Sequence, residues 1–315
     1  MRVLRLEEKG RVVRGGRELA RPGAPLWLDL APTPEDLAFL AERFKFHPLA
    51  LEDCAHEDQR VKFEQFDDHL FLVVHRMLPA PDDSEIWPKE LHAFLTPEAL
   101  VTVHSTPIAE VDAVFERCCA EPALFGRGPD FALYLVYDAL ADVHFALVDA
   151  LSAEVEELAD EVLRRENPAG QDDLLDRIIL ARRRQSVLRK RLAPQREVYA
   201  ALARPGIACV KKNNAVYFRD VVDHAVRLTE EVDTERDLLA SAQDAHLSHV
   251  NNRLSAVMAR LTLVSTIFLP LNFLAGFFGM NLEIVPPRVA VPMVVVSMVA
   301  LPGLLYAFFR KRRWL

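Results

Sequence analysis

From Leu261 to Met280, and again from Val289 to Phe309, the chain carries no charged residue. Each run is about twenty residues, the length an α-helix needs to cross a hydrocarbon core. Arg310-Lys311-Arg312-Arg313 and Trp314 follow directly behind the second run. A basic cluster with an interfacial aromatic puts that end on the cytoplasmic side. Two spans then leave both termini in the cytoplasm and the turn at 281–288 outside. The expected location is the cell inner (plasma) membrane, as a multi-pass protein.

Upstream the periodicity differs. Leu26–Leu30, Leu70–Val74, His92–Leu95 and Leu100–His104 are short apolar runs bounded by turn residues, which predicts strands. Between the first two, a helix is expected from Pro34, with Thr33 as its N-cap. Pro79–Ser84 reads as a loop. Residues 1–130 therefore predict a cytoplasmic α/β domain, a small mixed sheet with helices.

From about Asp130, Leu133, Val136, Tyr137, Leu140, Val143 and Leu147 recur at helical spacing, opposite a face bearing Asp138, Asp142, Asp149, Glu154, Glu156 and Glu157. Asn167-Pro168-Ala169-Gly170 breaks this helix. The next, Asp172 to about Ala203, is basic at Arg182–Arg184 and Arg189–Arg191. An acidic and a basic helix joined by a short turn predict an antiparallel hairpin over 131–204. The alternative for the basic run is a polyanion site. Residues 213–280 then form a stalk helix continuing into the first transmembrane helix, roughly 90 Å at 1.5 Å per residue. The extracytoplasmic turn 281–288, the second transmembrane helix 289–309 and the basic tail 310–315 complete the order.

One face of that helix is unusual. Stepping back by sevens from Gly279 gives Asn272, Ser265, Met258, Asn251 and Asp244; from Gly276 it gives Leu269, Thr262, Ser255 and Ser248. The two series form a single stripe. Only Met258 and Leu269 on it are large and apolar, while the flanking Leu263, Val264, Ile267, Phe268, Leu271, Phe273 and Leu274 are apolar. Small and polar positions inside a membrane either glue helices together or line water. The stripe continues below the membrane to Asp244, where such glue is not needed, and this favours a pore. A two-span chain cannot enclose one by itself, so a homo-oligomer is expected.

Composition narrows the function. A net charge of −8 offers no broad basic face and argues against nucleic acid as a partner. Cys54, Cys118, Cys119 and Cys209 lack metal-binding spacing and read as reduced thiols packed as small hydrophobes. The first sixteen residues are charged throughout, without the apolar core of a signal peptide, so the N-terminal region is expected to stay in the cytoplasm. His56-Glu57-Asp58 reads as a solvated turn. No nucleophile–base spacing, phosphate loop or thiolate site points to an enzyme.

Gly279-Met280-Asn281 after Leu269-Pro270-Leu271, together with the Arg-Lys-Arg-Arg-Trp-Leu ending, resembles the signature of CorA-type divalent-cation channels. The resemblance extends to Tyr217–Val221 with Asp223-His224, to His47–Asp53, to Lys62-Phe63-Glu64 and to Leu100–His104. It implies a homopentameric, funnel-shaped magnesium channel, often permeable to Co²⁺ and Ni²⁺. Its partners would be divalent cations, further copies of itself and the lipid bilayer. Asn281 would be the selectivity residue, meeting Mg²⁺ while the ion keeps its water, and Gly279 would permit the tight geometry at the mouth. Met258, Leu261 and Leu269 would be hydrophobic constrictions, and Asp244 the cytoplasmic end of the pore. Gating would use Mg²⁺ between neighbouring cytoplasmic domains, with Asp220 facing Asp82, Asp83 or Glu85 of the adjacent subunit. Glu283 remains as an ion-attracting acid in a shortened outer loop that gains Arg288. Two other readings stand beside this one: a ZntB-like Zn²⁺ transporter, proton-coupled or not, and a membrane-tethered soluble regulator or enzyme.

Overall fold

The computed structural model describes residues 1–7, 10–80, 85–164, 171–207, 209–279 and 287–311. It divides into two compact units, Met1–Gln243 and Asp244–Leu315. The first unit is built on seven strands: β1 (Arg2–Leu6), β2 (Val12–Gly15), β3 (Leu26–Leu30), β4 (Lys62–Gln65), β5 (Leu70–Pro79), β6 (Ile86–Leu95) and β7 (Ala99–Val103). Their order across the sheet is β2-β1-β3-β7-β6-β5-β4. Only the β3–β7 pairing is parallel.

The run Leu70–Val74 is apolar at every position because helices cover both faces of the sheet. Leu70, Leu72 and Val74 face one core with Trp27, Leu91 and Leu100, while Phe71 and Val73 face the other with Leu28, Phe94 and Val101. The second core is closed by α1 (Pro34–Phe44) and α2 (Pro48–Ala55), which supply Leu40, Ala50 and Leu51. Thr33 caps α1, its hydroxyl accepting from Asp36 N at 3.2 Å. The first core is closed by α3 (Ala109–Ala120), α4 (Pro122–Phe125), α5 (Pro129–Arg164), α6 (Gln171–Leu202) and the start of α7 (Ala215–Gly279).

Strands β1, β2 and β4 are additions to the four expected from apolar runs. Charged residues break up their apolar signal, yet those charges are used. Arg2 in β1 donates to Asp29 Oδ2 at 2.8 Å and also pairs with Asp112, joining β1 to β3 and α3. The helical hairpin charges meet as expected, Arg184 with Glu154 at 2.7 Å and Arg177 with Glu161 at 2.6 Å. Part of the basic run turns instead to α7, where Arg189 pairs with Asp233 at 2.5 Å.

The second unit holds the rest of α7 and α8 (Pro287–Lys311). Along α7 the partly covered positions are Leu263, Ile267, Pro270, Leu271 and Leu274; along α8 they include Ser297, Leu301, Leu305 and the buried Phe309. Each set is one helical face. The other faces expose Val264, Phe268, Phe273, Val296, Val299 and Leu304, each at least half exposed. Apolar surface of this extent needs lipid or a partner.

Candidate functional site

In the first unit α5 and α7 lie side by side. Phe131 and Tyr134 pack on Tyr217 at ring separations of 5.3 and 5.1 Å, and Phe145 meets the His224 ring edge-on at 5.6 Å. Farther along, Ser152 bonds to Glu235. Rising numbers meet rising numbers, so the helices run parallel.

On this seam Asp138, Asp220 and His224 offer ligand atoms all within 4.8 Å of one another. His224 Nδ1 lies 3.8 Å from Asp138 Oδ1, and Nε2 lies 4.0 Å from Asp220 Oδ1. Both separations exceed a direct hydrogen bond. Nδ1 is buried and has no partner, so a cation or water held among the three groups would satisfy them together. The field here is negative. Asp138 is raised above the usual carboxylate range by burial first, then by Asp142 and Asp220, with His224 pulling the other way. The Tyr134 phenol is pushed up to about 12 by burial, with Asp138 and Asp220 adding to the shift. A cation would relieve both.

Of the acids expected to regulate the channel, Asp220 is in this cluster. Glu85 is exposed and lines a groove with Leu147, Leu151, Glu154 and Arg184. Leu147 is nine residues beyond Asp138 on α5, roughly 13 Å away along the helix, so one chain does not bring Glu85 to Asp220. Asp82 and Asp83 lie outside the described residues. Asp138 and His224 are additions to the metal-facing groups expected from the sequence. The four-residue spacing of Asp220 and His224 on a helix was the available signal, since it sets both side chains on one face.

The second unit carries the stripe. Asp244, Ser248, Asn251, Ser255, Met258, Thr262, Ser265, Leu269, Asn272 and Gly276 are all exposed, as is neighbouring Leu261. At 3.6 residues per turn, the membrane part of this stripe points roughly 160° away from the covered Leu263–Leu274 face. Among the described residues of its unit, nothing covers it. Thr262 donates its hydroxyl to Met258 O at 2.8 Å, leaving the oxygen lone pairs as outward acceptors. A Cβ on Gly276 would meet nothing within 4 Å, so no close approach inside the chain demands glycine there. Gly279 ends α7. Met280, Asn281 and Glu283 lie outside the described residues.

The remaining candidate chemistry is not assembled for metal binding. Cys54, Cys118 and Cys209 are buried, and burial pushes the Cys118 thiol up to about 12 and the Cys54 thiol higher still. His56, Glu57 and Asp58 border a cavity of 570 Å³ with Trp87, Glu90 and His92. Among the described residues, only Asp138, Asp220 and His224 bring three such ligands together.

Known proteins resemble this chain over most of its length. The family described as CorA-like Mg²⁺ transporter protein matches residues 23–311. The cobalt/magnesium transport protein CorA of Thermotoga maritima is 32% identical over 298 residues, covering 92% of this chain and 84% of that protein. The complete structure of the CorA magnesium transporter from Methanocaldococcus jannaschii superposes with a TM-score of 0.84 at 21% identity, covering 100% of this chain and 99% of that one. The ZntB cytoplasmic domain from Vibrio parahaemolyticus gives 0.62 at 14% identity, over 80% of this chain and 98% of its own, a likeness of fold alone. On the family match and the Thermotoga relative, this chain belongs to the CorA-like Mg²⁺ transporter family.

Proposed function

We propose that this chain is one subunit of a homopentameric channel that admits Mg²⁺ passively, with Co²⁺ and Ni²⁺ as further cargo. The observation that carries this is the exposed stripe from Asp244 to Gly276, whose membrane part is turned away from the covered Leu263–Leu274 face. A ring of such helices would present successive collars of amide, hydroxyl and carboxylate oxygen around an axis. Mg²⁺ takes oxygen ligands and gives up its water reluctantly, so these collars suit a hydrated ion. Met258, Leu261 and Leu269 would be the dry constrictions, and Asn281 with Gly279 and Met280 would form the outer mouth, beside Glu283. Inward flux would be driven by the membrane potential, about 2.3 kcal/mol per charge per 100 mV. Both termini would be cytoplasmic.

Regulation would fall to the first unit. Mg²⁺ at Asp220, with Asp138 and His224 from the same chain, would meet Asp82, Asp83 or Glu85 of a neighbouring subunit and hold the channel closed. When internal Mg²⁺ falls, the acids lose their bridging ion and repel. The stripe contains no histidine or cysteine, the donors zinc prefers, and this favours Mg²⁺ over a ZntB-like zinc cargo.

Mg²⁺ flux into proteoliposomes tests the reading. Asn281→Ala should reduce flux to background, and Asp220→Ala should leave flux high when internal Mg²⁺ is raised. Flux untouched by Asn281→Ala would sink the selectivity assignment.

A further inference from the structure

Three buried side-chain atoms without a hydrogen-bond partner sit on one face of α7: His224 Nδ1, Glu231 Oε2 and Glu235 Oε2. His224 belongs to the cluster already described. Glu231 and Glu235 lie seven and eleven residues beyond it, on the same helical stripe. This is the face α7 turns to α5, since Arg227 lies 5.1 Å over the Phe145 ring and Ser152 Oγ donates to Glu235 Oε1 at 2.7 Å.

Glu235 is only 6% exposed, and Ser152 is its one bonded partner among the described residues. An ionised carboxylate accepts at about four lone-pair sites and donates at none, so the enclosed Oε2 is left without a donor. Glu231, one turn away, is 30% exposed but resembles it at one oxygen. Its Oε1 accepts from Arg227 Nε at 2.9 Å, and its Oε2 is buried without a partner. Residues four apart on a helix have Cβ atoms about 5–6 Å from each other. Two carboxylates thus hold buried, unbonded oxygens on one face of α7, where unpaired charge is disfavoured. Arg227, the cation facing them, is already committed to Glu231 Oε1.

We propose that Glu231, Glu235 and Ser152 form a second cation site, which takes an oxygen-seeking divalent ion of the Mg²⁺ and Mn²⁺ class. Two carboxylates supply the charge, the Ser152 hydroxyl orients Glu235, and water completes the shell of a hard ion. The site lies roughly 16 Å along α7 from Asp220 and His224, at 1.5 Å per residue. Occupancy ties α5 to α7 at a second level of the same seam. The proposal is independent of the regulatory role given to Asp220, so the two can fail separately.

Mn²⁺ titration of the full-length, metal-stripped protein in detergent, with free Mn²⁺ counted by EPR, provides the test. In an Asp220→Ala background the Glu231–Glu235 site should still bind one ion per chain. Adding Glu231→Gln with Glu235→Gln should remove that ion while leaving the metal-free circular dichroism spectrum unchanged. Ser152→Ala keeps both carboxylates and should weaken binding about tenfold. If the double glutamine protein fails to fold, Ser152→Ala decides, because unchanged Mn²⁺ affinity in it overturns the proposal. Undiminished binding in a folded double variant also overturns it.

Discussion

Helices α5 and α7 contain comparably apolar stretches, each long enough to cross a bilayer. Their fates are opposite. In α5, most of the stretch is buried inside the first unit; in α7 none of it is. Hydropathy measures what a segment avoids, not what covers it. The α5 stretch is surrounded by sheet and helices, so Phe131–Tyr137 is apolar all round and buried all round. The α7 stretch has one covered face and one polar stripe, and the rest of it awaits lipid or copies of the chain.

The sharpest way to break this comparison is to truncate one side chain in each helix. Leu140 in α5 is fully buried, so Leu140→Ala should destabilise the protein by about 2–5 kcal/mol, read as a lower denaturation midpoint. Leu269 in α7 is 76% exposed. Leu269→Ala should shift that midpoint by less than about 0.5 kcal/mol and instead raise cation leak through proteoliposomes, because it widens a proposed dry constriction. A large loss of stability in Leu269→Ala would mean that the stripe packs within its own chain.

Acid should separate the units next. His75 and His144 are buried in the first unit, and burial, with Arg191 beside His75 and Arg76 near His144, holds each at about 4. The unfolded chain binds these two protons from pH 6.5 downward while the folded chain does not. Stability is therefore intact above pH 6.5 and falls as pH drops towards 4, by roughly 1.4 kcal/mol per pH unit for each histidine. His104 runs the other way. Burial opposes its charge, but the hydrogen bond to Asp29 outweighs that and raises it, so its contribution is full below 6.5 and is lost as pH rises through its folded value. Melting temperature against pH checks the signs. His144→Gln, which keeps an acceptor for Met77 N, should flatten the acid slope.

The smallest effect is expected at the hairpin charges. Glu157 on α5 is 72% exposed and meets Arg177 on α6 at 3.5 Å, so Glu157→Ala should cost no more than about 1 kcal/mol. The complementary charges of α5 and α6 declare their pairing without supplying much of its strength. A midpoint shift several times larger would move weight from the apolar core to the ion pairs.

Much of this was legible in the chain. The strands at Leu26, Leu70, His92 and Leu100 announced themselves because sheet positions covered on both faces must be apolar. Thr33, the α5–α6 charge complement and the α7 stripe were equally plain. The edge strands β2 and β4, and β1 inside β2, were not, because charged positions interrupt their apolar alternation. The cluster of Asp138, Asp220 and His224 was hidden for another reason: Asp138 is some eighty residues away from its partners, and nothing local in α5 marks that acid above Asp142 or Asp149.

The sequence by itself determined what each helix can tolerate, through uncharged runs long enough for a bilayer and a seven-residue stripe of small and polar groups. Tertiary structure alone decided that α5 is a core helix despite its hydropathy, and that α5 and α7 run parallel. It also decided that His224, Glu231 and Glu235 each keep a buried atom without a hydrogen-bond partner. Periodicity is a property of one helix, whereas burial, register and an unpartnered oxygen depend on which second helix lies against it.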